Sequence, residues 1–398
     1  MAKFQLSGAT LRRAMIPVIA ALLLGAVAGI QAVVGVTQAN QPALAATLIG
    51  GSGVSLASEA SFAWKLQPTV PAAKQHYARL ARAALRREPL NPSALRVLGY
   101  YDSDRGQLAS ARRELVLGEK LSRRDFFTQV WFINDKVKAG DAPGALKHFD
   151  TALRSSDSGG QVLYPVLAKA LSDPRVQRAV APYIRQKADW VGEFVAYALD
   201  KREGETELAR MFANNGGAPN DTLGSTLLSL LVVRGSYDEA RRYYLSMPGA
   251  APGGLHEVSF APALTDSRFI PVSWQPLPSD TLGADLVADK DGARAFEIVA
   301  VHSMAQPALR KLLMLASGSY SFAANVVTET GDPANAGWTV SCLRAGAPAA
   351  EIAHLRPAGG SFSIPTGCQA QFLDLVSGAN AGGGEQSFIV KRPLLVRR

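Results

Sequence analysis

The hydrophobic positions of this chain change their spacing twice. From Ala14 to Val36 they run on almost unbroken, interrupted only by Gln31. Between Phe62 and Pro248 they recur at the intervals of helices buried along one face. After a Pro/Gly corner from Pro248 to Gly254 they alternate with polar residues in short runs bounded by Gly, Pro and Asp. Ala295 to Val301, Gly318 to Ala323, Trp338 to Leu343, Gly360 to Ile364, Gln371 to Val376 and Ser387 to Val390 are such runs, and they predict an antiparallel β-sandwich. In the third of them Trp338, Val340 and Cys342 fall on one face, with Thr339, Ser341 and Leu343 on the other. The fold class is therefore α+β, and 398 residues exceed a single core. The expected order is an apolar segment ending at residue 36, a Gly-, Ala-, Ser- and Gln-rich tether over 37–58, a helical region over 59–250 and a sandwich over 255–398.

The helical region repeats itself. Gly106, Ala111, Leu115 and Gly118 recur as Gly140, Ala145, Phe149 and Ala152, each pair 34 positions apart, which is the period of a helix-turn-helix repeat. Small residues let helices approach closely, so Gly106, Ala111, Gly140 and Ala145 are expected at helix crossings, with Leu115 and Phe149 filling the space between units. Gly235, Ala240, Tyr244 and Met247 repeat the same offsets. The 95 positions from Gly140 to Gly235 fall short of three such periods, so the middle units are irregular. Ala72 to Arg87 reads as the second helix of an earlier unit. It has His76, Leu80, Ala83 and Ala84 near one face and Arg79, Arg82 and Arg86 on another, and it ends at Glu88-Pro89-Leu90-Asn91-Pro92. Further on, Asp173-Pro174 starts a helix, while Ala181-Pro182 interrupts one or opens a new first turn.

Ala94-Leu95, Leu98-Gly99-Tyr100, Gly106, Ala111 and the Pro-containing corner together resemble the tetratricopeptide repeat (TPR). The chain departs from it at Asp102, near an expected aromatic, and at Arg123, in place of the closing Pro. The resemblance implies an α-solenoid that serves as a binding surface. Bacterial proteins of this layout are often associated with envelope or exopolysaccharide assembly. Tyr320, Trp338, Cys342, Phe362, Ile364-Pro365, Cys368 and Gln371 resemble the jelly-roll modules with which bacteria bind carbohydrate, and that likeness implies a glycan as partner.

The run from Ala14 to Val36 is long enough to span roughly 30 Å of hydrocarbon. Lys3, Arg12 and Arg13 precede it and no Lys or Arg follows before Lys65, so the N-terminus is expected in the cytoplasm and the bulk in the periplasm, with residues 14–36 as a single pass of a bacterial inner membrane. The small-x-small triplet Ala43-Leu44-Ala45 offers the alternative of a cleaved signal peptide, whose apolar core is ordinarily shorter. An even pair of cysteines in an exported chain, Cys342 and Cys368, reads as a disulfide stabilising the fold by roughly 3 kcal/mol, against two buried thiols. The formal charge of +9 is concentrated between Lys74 and Arg124, where 12 basic residues face 5 acidic ones. Export removes nucleic acid from the candidate partners of this basic stretch.

Motifs for catalysis fail one by one. His76, His148, His256, His302 and His354 form no metal-binding pair. Asp289-Lys290-Asp291-Gly292 lacks the first and twelfth ligands of a calcium loop and reads as a hairpin turn. Gly378 to Gly384 is a loop, with no helix after it to make a phosphate cradle. No catalytic residue, metal or cofactor is assigned. The binding candidates are Arg79, Arg82, Arg86, Tyr100, Tyr101 and Asn134 on the repeats and Tyr320, Trp338 and Gln371 on the sandwich. They support a non-catalytic, membrane-anchored scaffold for an envelope protein or polysaccharide. The alternative is an envelope carbohydrate-active enzyme with its site between the domains.

Overall fold

The computed structural model describes residues 52–398 without 67–69, 290, 302–303, 331–335 and 379–384, the side chains of 62–66 also excepted, together with scattered positions between 24 and 47. The apolar run from Ala14 to Val36 lies largely outside the described residues, as does most of the Gly-rich run ending at Gly384. Among the described residues no helix is long and apolar enough to cross a membrane. The chain divides into two compact units, residues 1–159 and 160–398.

The first unit is a set of helix pairs: α1 (Gly53–Leu66) with α2 (Pro71–Arg87), α3 (Pro92–Asp104) with α4 (Leu108–Leu121), and α5 (Phe126–Lys138) with α6 (Ala142–Ser155). Each helix packs on the next, and α3 also packs on α1 and α5, which leaves α2, α4 and α6 on the outer side. Local chemistry sets the corners. Asn91 precedes Pro92 and its side chain accepts the Ala94 N–H at 3.1 Å; Asp141 does the same for Gly144 at 2.8 Å. Within the second and third pairs the chain reverses through a left-handed glycine, Gly106 at φ +74° and Gly140 at φ +72°. The Gln107 N–H then returns to the Asp102 carbonyl at 2.9 Å, and the Asp141 N–H to Lys136 at 2.9 Å, which closes the preceding helix.

These glycines correct the expectation of close crossings: both are exposed turn residues, chosen for their backbone. Ala111 and Ala145 are buried in the packing as expected. The glycine at a close crossing is Gly99, where an added Cβ would run into the Leu115 side chain. The buried face of α2 also differs from the expected one. It consists of Tyr77, Ala78, Ala81 and Ala84, while His76 is exposed, because the apolar stripe sits about one residue round the helix. The tether expected to reach Ser58 stops earlier, since Gly53 already starts α1 and Ser55, Ala57 and Ala60 are buried.

The second unit opens with α7 (Gly159–Ala170), α8 (Pro174–Arg185), α9 (Asp189–Lys201), α10 (Glu205–Asn215), α11 (Asp221–Val233) and α12 (Tyr237–Ser246). Alternate helices start closer together here than the 34 positions from Pro92 to Phe126: 30 from Gly159 to Asp189 and 32 from Asp189 to Asp221. This shortening is the physical origin of the irregular middle. Pro182 lies inside α8, which continues through it without a new first turn. Gly235, at φ +79°, makes the same left-handed corner as Gly106 and Gly140.

Ten strands follow: β1 (Gln275–Pro276), β2 (Leu282–Ala288), β3 (Arg294–Ala300), β4 (Gln306–Leu313), β5 (Gly318–Thr330), β6 (Gly337–Arg344), β7 (Ala347–Leu355), β8 (Gly359–Ile364), β9 (Gln371–Ser377) and β10 (Gln386–Arg397). They form two antiparallel five-stranded sheets, ordered β1-β4-β9-β6-β7 and β2-β3-β10-β5-β8. The sheets share one core, in which Phe322 of one meets Trp338 of the other at 4.8 Å between rings. All six expected strands are present. The β2–β3 hairpin turns through Gly292 at φ +79°, with the Asp289 N–H on the Ala293 carbonyl at 2.7 Å.

Cys342 and Cys368 are bonded, with Cα atoms 5.7 Å apart. Cys368 precedes β9 in the connection from β8, and β9 lies beside β6 in the same sheet with Cys342 opposite Gln371. The bond therefore ties one end of a sheet to the incoming connection and does not cross from one sheet to the other. Nor does the Pro/Gly corner separate the sandwich from the last helices. The Tyr244 hydroxyl of α12 donates to Ala251 at 2.8 Å, its ring meets Phe269 at 5.8 Å, and the β6–β7 turn packs so closely on Gly235 that a Cβ there would strike Ala345.

Candidate functional site

Helices α2, α4 and α6 keep one register throughout. Tyr77, Ala111 and Ala145, then Ala81, Leu115 and Phe149, then Ala84, Gly118 and Ala152 succeed one another at 34 positions, and all are buried. The opposite side carries charge at the same period. Arg79, Arg113 and Lys147 make one row and Arg86, Lys120 and Arg154 a second, and all six are exposed. The rows are seven residues apart, so each helix presents two cations on one face about 10 Å apart along its axis. Arg154 is held by Asp150 at 2.9 Å, and the other five make no ion pair among the described residues.

The acidic residues of α4 lie on the other side. Glu114 is half-buried near Asp102, and burial first, then the Asp102 charge, push its carboxyl up to about 7 while Arg82 and Arg113 oppose the shift. Glu119 accepts from the buried Gln129 side chain at 3.3 Å, and Gln129 in turn bonds His148 Nδ1 at 2.7 Å. His148 stacks on Phe132 at 4.7 Å, and its burial lowers its pKa against the pull of Glu119. With the α4 anions turned inward, α2 carrying none and Asp150 of α6 engaged by Arg154, the outer face is left positive.

Of the expected binding residues, Arg79 and Arg86 belong to this grid and Arg82 does not. The Arg82 guanidinium lies 5.5 Å from the centre of the Tyr101 ring, and Arg105 lies 5.4 Å from it while donating to the Tyr101 hydroxyl at 2.9 Å. Tyr101 is buried under these two cations. Tyr100 donates to the Phe127 carbonyl at 2.8 Å, and burial raises its pKa, so both tyrosines are engaged in packing. Asn134 is exposed on α5, next to the buried Trp131, Phe132 and Ile133.

The candidates on the sandwich are core residues. Trp338 and Gln371 are 0% exposed and Tyr320 is buried. The Trp338 ring N–H donates to Pro357 at 2.9 Å, the Tyr320 hydroxyl to Ala316 at 2.9 Å, and Gln371 holds the Leu315 N–H at 2.9 Å and the Cys368 carbonyl at 2.9 Å. A sugar needs an exposed face to stack on, and these three residues offer none.

Two grooves lie in the second unit. One, of about 360 Å³, is lined by Arg185, Lys187, Asp189, Asn215 and Asn220 among others; the second, of about 650 Å³, by Ser259, Phe260, Arg294, Arg392 and Leu394 among others. Neither lining contains a His, a Cys or a pair of carboxylates. Among the described residues no group of His, Cys, Asp and Glu could hold a metal ion. Compared with known protein families the chain matches none, and no curated protein matches it either. The residues that sequence reasoning missed are Arg113, Lys120, Lys147 and Arg154. Their signal is the 34-residue period itself, once it is applied to charge as well as to small residues.

Proposed function

We propose that this chain is a non-catalytic scaffold of the bacterial cell envelope, anchored in the inner membrane by residues 14–36 with its bulk in the periplasm, whose repeats bind an anionic partner. In this reading the first unit is a solenoid of the tetratricopeptide kind. The jelly-roll-like sandwich serves as a rigid end piece, its expected sugar-facing residues being occupied in the core. The observation that carries the proposal is the grid of exposed cations, five of its six making no ion pair among the described residues, on helices whose apolar faces are consumed in packing. Charge that no internal partner uses is available to an external one. The bonded cysteines are in keeping with an oxidising compartment.

The test is affinity capture from an envelope fraction, with the wild-type chain beside a variant carrying Arg79→Gln and Arg113→Gln. A protein or polysaccharide retained by the wild type and released at moderate salt should be lost or reduced at least tenfold in the variant. Equal retention by both would remove the outer face from the function.

A further inference from the structure

Resting on the scaffold reading, we infer that the partner of the outer face of α2, α4 and α6 is the surface of an anionic phospholipid bilayer, so that the first unit lies with this face on the membrane. The cations form two rows across three helices and so address an area. A single polysaccharide strand follows one row or a groove, and this face is the outward side of the stack. Exposed aliphatic side chains lie among the charges. Leu117 (41% exposed) sits one turn from both Arg113 and Lys120 on α4, Leu121 (38%) one turn beyond Leu117 and next to Lys120, and Leu90 (68%) follows Arg86 and Arg87 at the corner. Cations beside exposed leucines suit the boundary between phosphate headgroups and acyl chains, whereas a hydrophilic glycan offers the leucines nothing apolar to meet. Glu114 and Glu119 turn toward the stack and so add little repulsion. The segment from Val36 to the start of α1 is only some 16 residues long, which keeps the unit near the surface into which residues 14–36 are expected to insert.

The experiment places an environment-sensitive dye on Ala109→Cys, an exposed position four residues before Arg113. The two native cysteines are bonded, so the new thiol reacts alone. The labelled full-length chain is reconstituted in nanodiscs of phosphatidylcholine, with or without phosphatidylglycerol. The dye should shift to the blue and be quenched by brominated lipid only when phosphatidylglycerol is present, and the shift should vanish at high salt. Each cation neutralised should lower the docked-to-free ratio about fivefold, so Arg79→Gln, Arg113→Gln and Lys147→Gln together lower it on the order of 100-fold. The charge-preserving set Arg79→Lys, Arg113→Lys and Lys147→Arg should keep the shift and controls for folding. Equal shifts in both lipids, or a shift indifferent to the charge changes, overturn the inference. A response to soluble alginate but not to phosphatidylglycerol overturns it too while leaving the scaffold with a glycan partner, and a response to neither overturns it and removes the glycan as partner as well.

Discussion

Two glycines of the first unit are required for opposite reasons. Gly106 has open space around it but a φ of +74°, so its need is conformational. Gly99 has ordinary helical dihedrals, but its missing side chain is where Leu115 sits. Gly106→Ala should cost about 1 kcal/mol and Gly106→Asn clearly less, because Asn tolerates the left-handed region. Gly99→Ala should also destabilise, by about 1 to 2 kcal/mol, although Ala is the better helix former, because overpacking against a buried Leu outweighs propensity. Urea denaturation of the variants ranks them, and a stabilised Gly99→Ala would mean that Leu115 gives way. Lys311 is a different case. It is 0% exposed, on the core-facing side of β4 with Leu309 and Leu313, and its ammonium donates to the carbonyls of Gly254, at 3.0 Å, and Val272. Burial pushes its pKa down from 10.5 to about 7, with Glu257 resisting. Between those values the unfolded chain holds a proton that the native side chain has lost, so stability rises with pH across this window and falls as pH drops toward 7. The urea midpoint of the second unit should therefore be higher at about pH 9 than at about pH 7, and Lys311→Met should flatten the slope. A flat wild-type profile would show the ammonium to be retained in the fold.

The same side chains explain which elements were legible. The strands read from alternation, such as β6 with Trp338, Val340 and Cys342 inward, have one face in the core and one turned away from it. Sequence reading passes over β4 because Leu309, Lys311, Leu312 and Leu313 are all buried, with a lysine where an apolar residue would complete the pattern. It passes over β7 because that edge strand is largely exposed and rich in Ala, which leaves little alternation to detect. Among the helices, the buried positions of α2, α4 and α6 repeat strictly and betray the period, while the closer spacing of α7 to α12 hides it. Of the candidate site, Arg79 and Arg86 were legible as a stripe on one helix. The rest of the grid was not, because it becomes a surface only when three helices are laid side by side. Trp338, Tyr320 and Gln371 show the converse: residue type signals what a side chain can contact but not whether solvent reaches it.

For the molecule as a whole, the division into compact units falls at residue 159/160 and not at the Pro/Gly corner, so α7 to α12 and both sheets are expected to unfold together. Cys342→Ala with Cys368→Ala should lower the melting temperature of that unit by roughly 6 to 12 °C, from about 3 kcal/mol of loop-closure entropy. The loss should extend to the helices. In hydrogen-exchange mass spectrometry, peptides from α11 and α12 should lose protection together with those from β6 and β9, whereas helices that keep full protection would mean two independent cores. The seating of the β6–β7 turn on the Gly235 corner, with Phe269 against Tyr244, bears on how the chain stops. A stack of helix pairs exposes at its last member the apolar side that another pair would have covered, and such an end invites addition of a further copy. Here that side of α12 is already taken by residues of the same polypeptide. The sandwich thus terminates the stack from within, and a chain ended at Ser246 would uncover Tyr244 and regain an open, self-associating end.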